Sequence, residues 1–186
     1  MSKESFIGKR VPRADSLDKA MGISQYTGDR VLPGMLYGKV LRSPYAHAKI
    51  LKIDTSKAEK LPGVKAVVTG KTDTPLDANG NPGKFGIVPA TIDQVLLAID
   101  KVRYVGEEVA AVAAISDDIA AKAIELIDVE YEVLPFVLNA EEAMKEGAEL
   151  IHEGKEKNIA AHYLIDEGDV EEGFKNSDLI LEDSFT

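Results

Sequence analysis

The 186 residues contain no cysteine. Disulfides, thiol nucleophiles, Cys-ligated zinc and iron–sulfur clusters held by this chain are therefore excluded. The three histidines, at 47, 152 and 162, are too scattered to form an H-x-x-x-H pair, so a metal site made from side chains of this chain alone is not expected. No apolar run approaches the length of a membrane span, about eighteen residues or more. The opening "MSKESFIGKRVPRADS" has no apolar core of a secretion signal, and a cytoplasmic location is expected. Positive charge is also short: the net charge of -10 argues against a phosphate-backbone partner, which is bound through a Lys/Arg surplus. Lys3, Lys9, Arg10 and Arg13 form a small basic arm that is expected to be solvated or docked on a protein.

What remains is an ordinary globular composition, 45% hydrophobic and 29% charged, in a chain long enough to bury a core. Residues 1–30 carry few helix or strand signals and are expected to form an arm. "MLYGKVLRS" and "AKILKID" alternate as strands, the second with Ile50 facing opposite to Leu51 and Ile53. Asp54, Thr55 and Ser56 offer cap oxygens for a short helix over 57–61, which Pro62-Gly63 stops. "VKAVVTG" is a third strand, and the turn-rich "TDTPLDANGNPGKFG" an exposed loop.

Downstream, "KVRYVGEEVAAVAAIS" is a strand pair or one bent strand broken at Gly106, with 109–115 apolar enough to be buried on both faces. Ser116 caps the strongest helix pattern, with Ile119, Ala123 and Leu126 or Ile127 on one face. "DVEYEVLP" alternates strictly, placing Val129, Tyr131 and Val133 opposite Glu130 and Glu132. Asn139-x-x-Glu142 and Asp169-x-x-Glu172 are capping boxes, and "LILEDSFT" is an alternating strand. A chain ending inside a strand pattern looks like a piece of something longer. Strand–helix–strand order recurs over 48–69 and 109–135, so the expected class is α+β, short helices packed on a mixed sheet.

Chemistry is sparse. The glycines at 80, 83 and 86 fit neither phosphate-loop spacing, and no G-x-S-x-G or H-E-x-x-H is present. The carboxylate pairs Glu107-Glu108, Glu130/Glu132, Glu141-Glu142 and Glu171-Glu172 fall on polar faces or first helical turns, where solvation and the helix dipole account for them. Arg103 and Tyr104 are expected as an edge-strand pair rather than an anion site. In "LRSPYAHAKILKID", Pro44 lacks an N–H and holds Ser43 extended, so the chain turns there without a ladder bond. The Ser43 hydroxyl and His47 imidazole are expected to satisfy backbone groups freed at that corner.

Taken together, several runs resemble one family. "LRSPYAHAKILKIDTSKAEKLPGVKAVVTG" resembles the R-S-P-x-A-H-A-x-I-x-x-I-D-x-S-x-A-x-x-x-P-G-V-x-A-V segment of molybdenum-hydroxylase large subunits, which include xanthine dehydrogenase, aldehyde oxidase and 4-hydroxybenzoyl-CoA reductase. "KVRYVGEEVAAVAA" resembles their V-R-Y-x-G-E-P-V-A-A-V-x-A, and "AAKAIELIDVEYEVLPFVLNAEEAM" their A-x-x-A-x-x-x-I-x-V-x-Y-E-x-L-P-x-V. Asp15, Lys19, Gly22, Tyr26, Asp29, Pro33, Gly34 and Leu36 match the family's opening pattern. Glu108 stands where the family has proline, and Ala20-Met21 where it has Val-Thr. The spacing into "FGIVPA" and "DKVRYVG" is most similar to the 4-hydroxybenzoyl-CoA reductase branch.

The resemblance implies an α/β hammerhead domain at residues 31–150, after an arm at 1–30. Residues 151–186 would then connect to a molybdopterin-binding domain outside this chain. Arg42, Ser43, Pro44 and His47 are its structural signature. It implies no catalytic, cofactor-binding or metal residue here. Molybdenum-molybdopterin is expected in the full subunit, and iron–sulfur clusters and FAD on partner domains or subunits. Partners are the rest of the subunit and those electron-transfer parts, with no nucleic acid or membrane. Phe85, Ile87 and Val88, an apolar cluster in a polar loop, are expected either to line the substrate entrance or to pack locally. Two other readings are open: a free-standing binding or scaffold module with the same fold, and a hydrolase using His47.

Overall fold

The computed structural model describes residues 7–86, 94–155 and 157–185. The N-terminal arm carries one short exposed helix, α1 (Ser16–Ala20), and a single 3-10 turn at Thr27–Asp29. Strands β1 (Tyr37–Arg42) and β2 (Ala48–Asp54) flank the proline corner. Helix α2 (Ser56–Glu59) leads to β3 (Val64–Thr69) and the helical turn α3 (Gly70–Asp73). Then come β4 (Lys84–Phe85), β5 (Gln94–Val95), β6 (Lys101–Val102) and β7 (Glu108–Ala114). Helix α4 (Asp117–Glu125), β8 (Asp128–Val133), α5 (Ala140–Ala143) and α6 (Val170–Lys175) complete the described elements.

The strands fall into two three-stranded sheets, β1-β7-β3 and β6-β2-β8, and a β4-β5 ribbon. "KVRYVGEEVAAVAA" is thus two strands in two different sheets, with Gly106 in the left-handed region (φ 92) between them. Each strand–helix–strand run begins in one three-stranded sheet and ends in the other: β2-α2-β3 and β7-α4-β8. Sheet β6-β2-β8 is antiparallel throughout.

The register of β2 on β8 corrects the simple alternation. Ala48, Lys49 and Ile50 pair with Val133, Glu132 and Tyr131, but Lys52 then pairs with Glu130 and Ile53 with Val129. Leu51 is the extra residue of a β-bulge. The bulge returns Ile53 to the face of Ile50 and turns Leu51, 56% exposed, to solvent. Tyr131 and Val129 stand opposite these two isoleucines and pack on the same cluster.

Contacts divide the chain into two compact units. One comprises the described part of Met1–Lys39 with Thr55–Val67 and Val112–Ile127. Within it α2 packs on α4 through small side chains, the buried Ala58 on one and Ala120 and Ala123 on the other. The Ser116 hydroxyl caps α4 by accepting the Ile119 N–H at 3.3 Å. The expected capping of α2 does not form through Thr55, whose hydroxyl instead donates to the Glu59 carboxylate.

The other unit comprises Val40–Asp54, Val68–Ala111 and the described part of Asp128–Thr186. Its core is Ala48, Ile50, Ala98, Val102 and Val109, with Ile53, Val129 and Tyr131 packed against it. Each fully buried valine or isoleucine contributes about 1.5–3 kcal/mol over its exposed state. Asn139 and Asp169 cap α5 and α6 as the pattern implied, although the Glu142 carboxylate reaches Lys145 at 2.6 Å. The turn-rich loop is exposed but ordered by Asp77, whose carboxylate accepts the Asn79 and Asn81 N–H groups. One expectation fails: 179–185 form no strand, because no strand among the described residues lies beside them to complete a ladder.

Gly70 sits where a side chain has no room, since a Cβ there would lie 2.3 Å from the Ala98 carbonyl oxygen and 2.7 Å from that of Leu97. Both neighbours are backbone and must move together. Gly70→Ala should therefore destabilise the chain by about 2–3 kcal/mol, read as a lowered urea midpoint at unchanged slope.

Candidate functional site

The candidate site is the corner between β1 and β2, where the motif residues meet the turn before β7. The Ser43 N–H donates to the Glu107 carbonyl at 2.9 Å, and the Gly106 N–H donates back to the Ser43 carbonyl at 2.8 Å. The Ser43 hydroxyl accepts the Tyr45 N–H and donates to the Tyr45 carbonyl, both at 3.0 Å, and so closes the turn around Pro44. On the far side of the corner, the His47 carbonyl accepts the Leu134 N–H at 2.9 Å. His47 Nδ1 lies 2.7 Å from the Pro135 carbonyl oxygen. A carbonyl can only accept, so Nδ1 carries the proton.

His47 is 1% exposed, and its Nε2 is buried with no hydrogen-bond partner among the described residues. A substrate cannot reach that nitrogen, and the ring's one strong bond is spent on backbone. The Tyr45 ring packs edge-on against Tyr131, centroids 5.2 Å apart. Burial, then the neighbouring Tyr45, raises the Tyr131 phenol above its ordinary range.

Beside the corner, Arg42 Nη1 donates to the Gly106 carbonyl at 2.7 Å and to Glu108 Oε1 at 2.6 Å. The Tyr104 hydroxyl donates to the other Glu108 oxygen at 3.3 Å. Although partial burial works the other way, the Glu108 backbone N–H and the Arg42 guanidinium hold the Glu108 carboxyl below the usual range. Glu107 corrects the expectation of a solvated pair. It is 8% exposed, turned inward by the left-handed Gly106, and its carboxylate accepts the Arg103 N–H four residues back. Burial pushes the Glu107 carboxyl up, against the pull of that N–H and of the Arg103 charge.

Two adjacent carboxyls shifted in opposite directions are a pattern also seen in acid–base pairs. Here Glu107 is tied to the Arg103 N–H of its own turn, and Glu108 to Arg42 at the end of β1 and to Tyr104. Glycine followed by two glutamates, four residues after Arg103, is the signal that could have revealed this.

Of the apolar loop residues, Phe85 is 48% exposed on β4 opposite Gln94, while Ile87 and Val88 lie outside the described residues. A second place, missed in the sequence, is a cavity of about 270 Å³ lined by Val137, Ala143, Ile151 and Ile159 with His152, Lys155 and Asn158. Asn158 builds it: its carboxamide accepts the Ile151 N–H and donates to the Ala143 and Glu149 carbonyls. Lys157 (φ 52) and Asn158 (φ 56) both adopt the left-handed region to make those bonds. Among the described residues, no three His, Cys, Asp or Glu side chains converge as metal ligands.

Comparison with known proteins places this geometry. A family model described as "Aldehyde oxidase and xanthine dehydrogenase, a/b hammerhead domain" matches residues 21–135. A probable xanthine dehydrogenase subunit of Bacillus subtilis is 46% identical over 173 residues, which cover 93% of this chain and 22% of that protein. The nicotinate dehydrogenase large molybdopterin subunit of Eubacterium barkeri is 37% identical over 182 residues, covering 97% of this chain and 40% of the relative. Among solved structures, the CO dehydrogenase of Oligotropha carboxidovorans matches with a TM-score of 0.63 and 40% identity, covering 76% of this chain and 17% of that one.

Two outcomes follow from the corner. His47→Ala leaves the Pro135 carbonyl without its donor and opens a void, and should cost about 2–4 kcal/mol in chemical denaturation. For Glu107 the folded carboxyl titrates above its unfolded value, so the folded state binds the extra proton between the two. Its contribution is thus most favourable at acid pH and declines as pH rises from the unfolded range through the raised folded value. Glu107→Gln should flatten that decline at little cost at neutral pH. Glu107→Ala should lose about 1–3 kcal/mol at every pH by orphaning the Arg103 N–H.

Proposed function

The chain belongs to the a/b hammerhead family of aldehyde oxidases and xanthine dehydrogenases, and we propose that it is the structural and interface domain of the molybdopterin-binding subunit of such an oxidoreductase. The supporting observation is the commitment of the corner: His47 and Glu107 are occupied in fastening backbone, and Glu108 is held by the Arg42 guanidinium and the Tyr104 hydroxyl. The chain spans 22% of the Bacillus subtilis relative and 40% of the Eubacterium barkeri one. In this reading residues 1–30 are an arm, 31–150 the hammerhead domain, and 151–186 the connection to the molybdopterin-binding domain.

In this reading the redox chemistry lies outside this chain. Molybdenum-molybdopterin belongs to the rest of the subunit, and iron–sulfur clusters and FAD to partner domains or subunits. That cofactor supplies a two-electron exchange, hydroxylating an aromatic, heteroaromatic or aldehyde substrate with oxygen from water, or removing a hydroxyl reductively. No described helix is long and apolar enough to cross a membrane, and we assign the enzyme to the cytoplasm. Phe85 lines the substrate entrance in this reading; its half-exposed ring on the β4-β5 ribbon supports that assignment.

The natural protein, purified from its source, should contain molybdenum and reduce an artificial electron acceptor with an aldehyde or heteroaromatic substrate. The 186-residue chain alone should do neither; turnover by the chain alone would overturn the reading. In the complete enzyme, Phe85→Ala should raise KM about tenfold, equivalent to roughly 1.4 kcal/mol of lost contact, with kcat little changed. An unchanged KM removes Phe85 from the entrance.

A further inference from the structure

Residues 162–185 are exposed from end to end, yet they are not composed like a solvated tail. Tyr163 is 68% exposed, Ile165 87%, Leu181 79% and Phe185 91%. Segments that live in water are poor in such aromatic and branched side chains. An exposed stretch this apolar marks an interaction surface.

The stretch also has local order. Asp169 caps α6 by accepting the Glu172 N–H at 2.9 Å. Val170 and Phe174, four residues apart, lie on one face of that helix, both more than half exposed. The hydrogen bonds of α6 and the turn after it stay within 169–177. Beyond them Leu179, Leu181, Asp183 and Phe185 fall on one side in strand period and Ile180, Glu182 and Ser184 on the other, with no ladder partner among the described residues. Helix α6 and the extended segment after it each present a largely apolar side that no ladder or helix among the described residues covers.

Charge selects the occupant. Between 162 and 185 eight carboxylates face the single cation Lys175, which accounts for seven of the ten net negative charges of the chain. A second copy would bring the same negative field and be repelled. The fitting surface is apolar, bordered by lysine and arginine, and ends in an open strand edge. Polypeptide to supply it is at hand in the family, where the matched region is 22% and 40% of two relatives.

We infer that residues 162–185 are a bipartite docking arm for the part of the large subunit outside this chain. Val170 and Phe174 enter a basic-rimmed apolar groove, and 179–185 add a strand to an open sheet edge. The inference rests on the domain reading above, and the two fail separately.

The test is hydrogen–deuterium exchange on the natural protein and on the 186-residue chain, with the intact mass of the natural protein measured alongside. The mass reports on the domain reading: a natural protein of this length alone would end it. The exchange reports on the arm: amides of 170–175 and 179–185 should exchange at least about a hundredfold more slowly in the natural protein than in the isolated chain. A larger natural protein with equally fast exchange in both overturns the arm and leaves the domain reading standing. Equal protection in both shows the segment covering its own chain and also overturns it. Leu181→Asp with Phe174→Asp in the natural protein should return the segment to the fast exchange of the isolated chain while the Ile50–Val102 core stays protected. Retained protection of the segment would count against the two apolar sides.

Discussion

Ser43 is gripped on both sides of its own peptide by one turn: its N–H by the Glu107 carbonyl and its carbonyl by the Gly106 N–H. Two residues thus face one, the pattern of a bulge that opens on a left-handed glycine, and it sits one residue before proline makes a continued ladder impossible. Most of what surrounds the corner depends on it. The turn must be tight, which calls for Gly106 at φ 92. A tight turn brings Glu107 inward, where the Arg103 N–H receives its charge. Arg42, at the end of β1, then closes the outside by bonding the Gly106 carbonyl and Glu108. His47 performs the corresponding task at the other end of the corner, fastening the start of β2 to Pro135.

The corner motif is rich in reactive residue types. Serine, histidine, arginine and glutamate converge at one corner, but their polar groups are taken up by backbone and by one another. The unpaired His47 Nε2 is sealed from solvent and from any substrate.

Most of the elements were legible in the chain because their signals are local. Ser116 before two aspartates announced α4, and Asn139 and Asp169 announced α5 and α6, while α2 closes at Glu59, ahead of Pro62-Gly63. The corner was legible for the same reason, since a proline's missing donor is a property of one residue. Four things were not. The inward turn of Glu107 depends on the packing of a turn against Ser43, far away in the chain, and no periodicity carries that. The Leu51 bulge is a relation between two strands, invisible in either alone. The strand pattern of 179–185 was correctly seen as a pattern, but a ladder needs a second strand. Asn158 was missed as well, because a carboxamide holding three distant backbone groups looks like any other loop asparagine.

The bulge in β2 has a consequence for how this sheet tolerates changes of length. Because Leu51 has no opposite number on β8, its removal would let Lys52 follow Ile50 directly, facing Glu130 next to Tyr131 in an unbroken ladder. Ile50 and Ile53 would then be two apart instead of three, and still on the same side. The strand therefore carries one residue that is a spacer in the literal sense, a kink of spare length. A deletion there would be absorbed silently. In β8, where no such slack exists, losing Glu130 would set Val129 and Tyr131 side by side and turn one of them out into water.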